Sequence, residues 1–135
     1  ASGFFSNILR EPINGMPAVL PVDDTVRHWF ASPRAAIGFL VKSASLTRED
    51  MGSRCNINLP GLSATVAQQI ESLERVVGSD AVKLIKREPD AVIRGIVANW
   101  AEDFDPARAI ALGFEAESSF DEIIRVYLED EMPAG

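Results

Sequence analysis

Arg27-His28-Trp29-Phe30-Ala31-Ser32-Pro33-Arg34 is the stretch on which the reading of this sequence turns. Alternation places Val26, His28 and Phe30 on one face of a strand and Arg27 and Trp29 on the other. Ser32-Pro33 then predicts an abrupt helix start, a hydroxyl N-cap followed by proline at the first helical position. A strand that carries a guanidinium into a helix N-terminus brings a cation close to oriented backbone N–H groups. Both favour a phosphate or a carboxylate. The competing reading is an arginine lying over Trp29 at the surface with its charged end in water.

Outward from this point, the spacing predicts a helix to about Ser45 with Ala36, Ile37, Leu40, Val41 and Ala44 turned inward. Upstream, Phe4, Phe5, Ile8 and Leu9 form one face of a helix over Gly3–Glu11, followed by turn residues at Pro12, Asn14-Gly15 and Pro17. Ala18–Val22 reads as a short edge strand, since Pro21 has no N–H for a ladder. Downstream, residues 46–54 read as a polar excursion, and Cys55-Asn56-Ile57-Asn58-Leu59 alternates as a strand that stops at Pro60-Gly61. Ser63 is the expected cap of a helix stacking Val66, Ala67, Ile70, Leu73 and Val77 up to Gly78. Ala81–Arg87 is a fourth short strand, and Ala91–Ala98 a helix. Asp105-Pro106 opens another helix, which Gly113 ends. Ser119-Phe120-Asp121-Glu122 is a capping box for a last helix burying Phe120, Ile123, Ile124, Tyr127 and Leu128. Glu129-Asp130-Glu131 puts acid at that helix's C-terminus, where the macrodipole disfavours it, so fraying is expected. Helices and strands are interspersed, so the class is α/β or α+β. Four short strands are few for a free-standing sheet, which suggests a missing partner layer.

Composition bounds the chemistry. The 135 residues weigh 14.7 kDa, 47% are hydrophobic and 24% charged, as in a globular domain. Thirteen basic against twenty acidic side chains leave a charge of −7, which opposes nucleic-acid binding without a strong basic patch. The single cysteine, Cys55, has no internal partner, which favours a reducing, cytoplasmic setting. No apolar run approaches the roughly 20 residues that span a bilayer, so no membrane partner is expected. Ala1 stands where an initiator Met would, with bulky apolar residues close behind. A processed start, leftover vector residues, or the carboxyl-terminal piece of something longer would each explain this.

The nine glycines form neither Gly-x-Gly-x-x-Gly nor Gly-x-x-x-x-Gly-Lys, so no phosphate-cradling loop is present. One Cys and one His fall short of a zinc set, and the acidic runs lack calcium-loop spacing. There is no Gly-x-Ser-x-Gly elbow, and Tyr127 is followed four residues later by Glu131 rather than Lys. No catalytic residue is assigned. Beside Arg27, the candidates are His28, which the residues alone make a half-buried histidine, and a second basic group at a strand end, Lys86-Arg87 with Asp90 and Arg94.

The order of these features resembles the carboxyl-terminal half of an extended short-chain dehydrogenase/reductase, in the NAD-dependent sugar epimerase/dehydratase group. The resemblance is carried by the apolar helix at Gly3–Glu11, Val26–Ser32, Cys55–Gly61, Lys86-Arg87, Phe104–Ala109, Leu112-Gly113-Phe114 and Ser119–Glu122. It implies a helix-rich small substrate-binding lobe, a single unit over residues 1–135, whose Rossmann core is missing. It also implies that residues 55–59 extend the parent's large sheet. NAD, or NADP, would be bound by the missing amino-terminal domain, with a Tyr-x-x-x-Lys pair that has no counterpart here, so the chain alone should be inactive. Arg27 would hold the anionic part of a small sugar substrate, Arg87 would be a second anion-binding residue, and His28 would meet a hydroxyl. The parent would be a homo-oligomer. Ser32-Pro33 replaces an Asp pair common in the family, which favours a sugar acid such as erythronate over a nucleotide sugar. A nucleotide-sugar epimerase segment and a stand-alone binding module remain the alternatives.

Overall fold

In a computed structural model, residues 3–132 are described, and they divide into two compact units. The first comprises residues 1–28 and 63–102, the second residues 29–62 and 103–135. In chain order the elements are α1 (Phe4–Ile13), β1 (Ala18–Leu20), β2 (Arg27–Phe30), α2 (Pro33–Ser45), α3 (Arg48–Met51) and β3 (Leu62–Thr65). They continue with α4 (Val66–Val76), α5 (Ser79–Val82), β4 (Ile85–Arg87), α6 (Ala91–Val97), α7 (Ala107–Ala111) and α8 (Phe120–Glu131). The chain is α/β and helix-rich, with few strands. β2 and β3 form a two-stranded sheet, and the chain passes from one unit to the other within each of them.

In the first unit, β1 and β4 pair in parallel, Ala18 opposite Ile85 and Leu20 opposite Arg87. Residues just beyond the strands prolong the ladder: Glu88 N–H donates to the Leu20 carbonyl at 3.0 Å and Asp90 N–H to that of Pro21 at 2.9 Å. Pro21 thus ends β1, and its carbonyl, which needs no N–H, still takes part. Phe4, Phe5 and Ile8 of α1 are buried as their spacing predicts, together with Leu20, Val66 and Leu73. The helix runs on through Pro12, which stands in its last turn, where its missing N–H forfeits one bond.

The second unit is built on Phe39, Ala109 and Phe114, with Ala35, Leu46, Ile57, Leu59, Leu112 and Ala116 packed around them. Phe30 and Phe120 meet edge to face at 5.2 Å. α8 buries Phe120 and Ile124 and half-buries Ile123, Tyr127 and Leu128, as expected.

Several expectations are corrected. The segment 55–59 is not a strand: no backbone group pairs with it, although Ile57 and Leu59 keep their alternation by packing on the core. β3 begins three residues later, at Leu62, and takes Ser63 into the strand. The cap of α4 is therefore Thr65, whose hydroxyl accepts from Gln68 N–H while the Gln68 side chain accepts from Thr65 N–H. The buried stripe of α4 is rotated onto Val66, Gln69, Ser72 and Leu73, and Val77 is exposed. Residues 46–54 contain a short helix, α3, closed by a Thr47/Asp50 capping box. Only the end of Ala81–Arg87 is strand, since its start belongs to α5. α8 keeps its helical form through its acidic end, to Glu131. Arg34 donates to Asp130 at 2.5 and 3.0 Å and to Glu129 at 3.0 Å, placing a cation where the helix dipole wants one. The largest correction concerns α2: Phe39 is its buried residue, while Ile37, Leu40 and Val41 are 62%, 73% and 69% exposed.

Candidate functional site

Arg27 enters the first unit at the start of β2, half-buried. Its Nη1 donates to the Ser63 carbonyl at 3.1 Å and to Ser63 Oγ at 3.3 Å. Ser63 Oγ in turn donates to the Glu102 carbonyl at 2.7 Å. One amino group of the guanidinium is thus fixed by neutral oxygens. Nε and Nη2 make no hydrogen bond, and Arg27 has no ion-pair partner, among the described residues. The donors left on such a half-buried guanidinium are coplanar, and their spacing matches the two oxygens of a carboxylate or phosphate.

Most of the other arginines differ; Arg48 and Arg54 also lack an ion pair among the described residues, but they are exposed. Arg10, Arg34, Arg87 and Arg94 are all held by carboxylates. Half-buried Arg108 donates to the carbonyls of Met51, Arg54 and Asn56, knitting the loop that precedes β3. Arg87 is 57% exposed and pairs with Asp24 at 2.9 Å, while Arg94 pairs with Asp23 at 2.7 Å. The Asp23-Asp24 turn, which sequence alone reads as solvated charge, supplies the counter-charges of the second basic group.

His28 is half-buried between rings, stacked on Phe5 at 4.9 Å and tilted against Trp100 at 5.4 Å. Both are flat apolar surfaces that fix the imidazole plane and leave its edge to make polar contacts. Neither Ser63 as the partner of Arg27 nor Glu102 as the partner of Ser63 could be read from the sequence, lying 36 and 39 positions away. A backbone carbonyl leaves no residue-type signal at all.

At the start of α2, Ser32 is fully buried. Its Oγ donates to Glu117 Oε1 and accepts from Ala35 N–H at 2.9 Å, and Ser32 N–H donates to Glu117 Oε2 at 3.3 Å. The anion at this helix N-terminus is thus the protein's own carboxylate, so this N-terminus is already occupied.

Among the described residues no cluster of three or more His, Cys, Asp or Glu side chains could hold a metal ion. No described helix is long and apolar enough to cross a membrane. The residues present do not fit a dinucleotide either. Among the described residues β3 is the strand that runs directly into a helix, and the first turn of α4 is closed by its own capping box, with Thr65-Val66-Ala67 where a pyrophosphate needs glycine.

The fold is that of the carboxyl-terminal part of epimerase-like short-chain dehydrogenase/reductase proteins. A nucleoside-diphosphate-sugar epimerase from Agrobacterium tumefaciens superposes with a TM-score of 0.95 and 55% identity, over 99% of this chain and 39% of that one. A partial-consensus L-threonine 3-dehydrogenase shares the fold at a TM-score of 0.78 and 20% identity. The particular curated proteins it is similar to are D-erythronate dehydrogenases. That of Cupriavidus necator is 45% identical over 130 residues and that of Haemophilus influenzae 39% over 132, covering 96% and 98% of this chain. The chain spans only 40% and 42% of those relatives' lengths. No family model matches the sequence.

Proposed function

We propose that this chain is the substrate-gripping carboxyl-terminal part of an NAD-dependent sugar-acid oxidoreductase, with D-erythronate or a similar four-carbon acid as substrate. The observation that carries the reading is Arg27, half-buried and without a carboxylate partner among the described residues, in a chain similar over nearly its whole length to D-erythronate dehydrogenases. Arg27 grips the substrate's carboxylate with Nε and Nη2, Ser63 holds the guanidinium in plane, and His28 meets a substrate hydroxyl. Fixing the anionic end places the remaining carbons for reaction elsewhere. Arg87 is a second anion-binding residue that must first release Asp24. NAD or NADP is held by the part of the longer polypeptide that lies outside this chain, and the oxidation itself belongs there. Residues 55–59, with one side on the core and no backbone partner among the described residues, complete that part's sheet as a strand.

In the whole protein, Arg27→Ala should weaken substrate binding about 10- to 100-fold, the loss of one charge-assisted pair of roughly 1.5–3 kcal/mol, and leave NAD affinity unchanged. Calorimetric titration of each ligand checks this, and unchanged substrate affinity would refute the anchoring role. The similarity to a nucleoside-diphosphate-sugar epimerase favours a second reading, in which the anion on Arg27 is a diphosphate. Competition by a uridine diphosphate sugar against erythronate in the same titration separates the two.

A further inference from the structure

The first unit carries Arg27 at the start of β2, Arg87 at the end of β4 and Arg94 on α6. Two of these three are matched by neighbouring aspartates: Arg87 pairs with Asp24 at 2.9 Å and Arg94 with Asp23 at 2.7 Å. Arg27 has no carboxylate among the described residues. The backbone on both sides of the Arg87–Asp24 pair is pinned. The Asp24 carbonyl accepts from Ala67 N–H at 2.8 Å, and the Asp23 carbonyl accepts from Val26 N–H at 3.1 Å, closing the turn. Arg87 stands opposite Leu20 in the β1–β4 ladder. The pair therefore separates by side-chain rotation alone, which leaves the carboxylate close to the guanidinium it has released. Asp24 precedes Arg27 by three residues, at most about 11 Å of extended chain. Arg27 and Arg87 are thus near enough to meet two anionic groups of one ligand.

We propose that Asp24 is a specificity-determining residue: by neutralising Arg87 it leaves one surplus positive charge, and so selects a ligand with one anionic group over a diphosphate. The inference rests on the reading that Arg27 grips a sugar acid. A single carboxylate takes the free donors of Arg27 and leaves the Arg87–Asp24 pair intact. A diphosphate brings a second anionic group, which reaches Arg87 only by displacing Asp24. The displaced carboxylate then stands unpaired beside the incoming charge. Arg87 takes up its own anion-binding role only with a ligand able to bear that repulsion. Discrimination of this kind is built against the wrong ligand and needs no contact with the right one.

The test is the ligand selectivity of the full-length gene product, titrated calorimetrically with NAD at saturation so that the cofactor's own site takes neither probe. The probes are erythronate and uridine diphosphate. Asp24→Asn removes the charge at nearly constant volume, and Asp24→Ala is a second version in case the amide still holds Arg87 or the first fails to fold. Asp23→Asn is the control, removing the same charge one residue away. Asp24→Asn should raise the affinity for uridine diphosphate about fivefold more than that for erythronate, the effect of one partly screened charge pair. Asp23→Asn should change the two affinities alike. Equal changes for both ligands in both Asp24 variants would overturn the proposal. So would the same shift in selectivity from Asp23→Asn, which would reduce the effect to net charge. Arg27→Ala tests the underlying reading separately: erythronate held as tightly as by the parent removes the anchoring role, whereas a gain for uridine diphosphate at Asp24 still stands.

Discussion

Gly61 has no side chain, and its surroundings leave no room for one. A Cβ built there would stand 2.6 Å from the Phe30 carbonyl oxygen and 2.6 Å from Trp29 Nε1. The first of these is backbone within a paired strand and cannot swing aside. Gly61→Ala should therefore destabilise the fold by about 2–3 kcal/mol, the usual cost of overpacking against a fixed neighbour. A shift in the urea midpoint at constant slope would show it, and a midpoint within error of the parent's would mean that the two strands part freely. Pro60-Gly61 is legible in the sequence as a stop signal, but its reason, a close approach of backbone to backbone, is not. Arg27 is similar. Its residue type and its alternation with Trp29 are local and readable, whereas its lack of a carboxylate among the described residues depends on where the acidic side chains pair, as Asp23 and Asp24 do with Arg94 and Arg87.

Among the elements, starts are better written into the sequence than faces. Ser32-Pro33 and Ser119 cap α2 and α8 as expected, and Asp90 caps α6, because a cap needs only a side-chain oxygen two or three residues from the amide it accepts from. The capping box of α8 reaches one residue further back than its pattern predicts: Glu122 accepts from Ser118 N–H at 2.7 Å and Ser118 Oγ at 3.1 Å, which holds its carboxyl below the ordinary glutamate range. Ser32 does more than cap. Ser32→Ala removes both the bond to Ala35 N–H and the hydroxyl that satisfies Glu117, so the loss should be about 2 kcal/mol, at the upper end for caps. Thermal unfolding of that variant, with Ser32→Thr as the conservative control, measures it. A cost below a few tenths would show that water replaces the hydroxyl. The strand at 55–59 fails for a different reason. Alternation gives an extended backbone with one apolar side, but a strand exists only when another backbone accepts its hydrogen bonds, and none of the described residues does.

At the scale of the whole molecule, each unit is assembled from two separated stretches of chain, so its integrity rests on contacts between residues far apart in sequence. Arg34 reaches Glu129 and Asp130 across 95 and 96 positions and ties the two stretches of the second unit. Hydrogen bonds from Arg34 hold the Asp130 carboxyl below the ordinary aspartate range and raise the guanidinium in turn. A carboxyl depressed by folding contributes stability above its unfolded value, about 3.9, and loses that contribution as pH falls through its folded value. On acidification, the last turn of α8 should therefore remain ordered through the range in which ordinary aspartates protonate and loosen only below it. Arg34→Ala should move the loosening up to that ordinary range. Amide shifts of residues 127–131 followed by NMR titration report both, and identical midpoints in the two proteins would exclude the tie. The exposed pair contributes little at neutral pH, since water screens it.

The sequence by itself determined the α/β class, the positions of the major helices, the strand that carries Arg27, and the absence of a nucleotide-cradling loop, because each is fixed by residues a few positions apart. Only the tertiary structure decided which apolar face of α2 is buried, which arginines are neutralised, and that Ser63, itself held by the Glu102 carbonyl, fixes Arg27. Those outcomes depend on which surfaces and charges meet across long stretches of chain, and hydrophobic burial has no direction of its own until a partner surface is present.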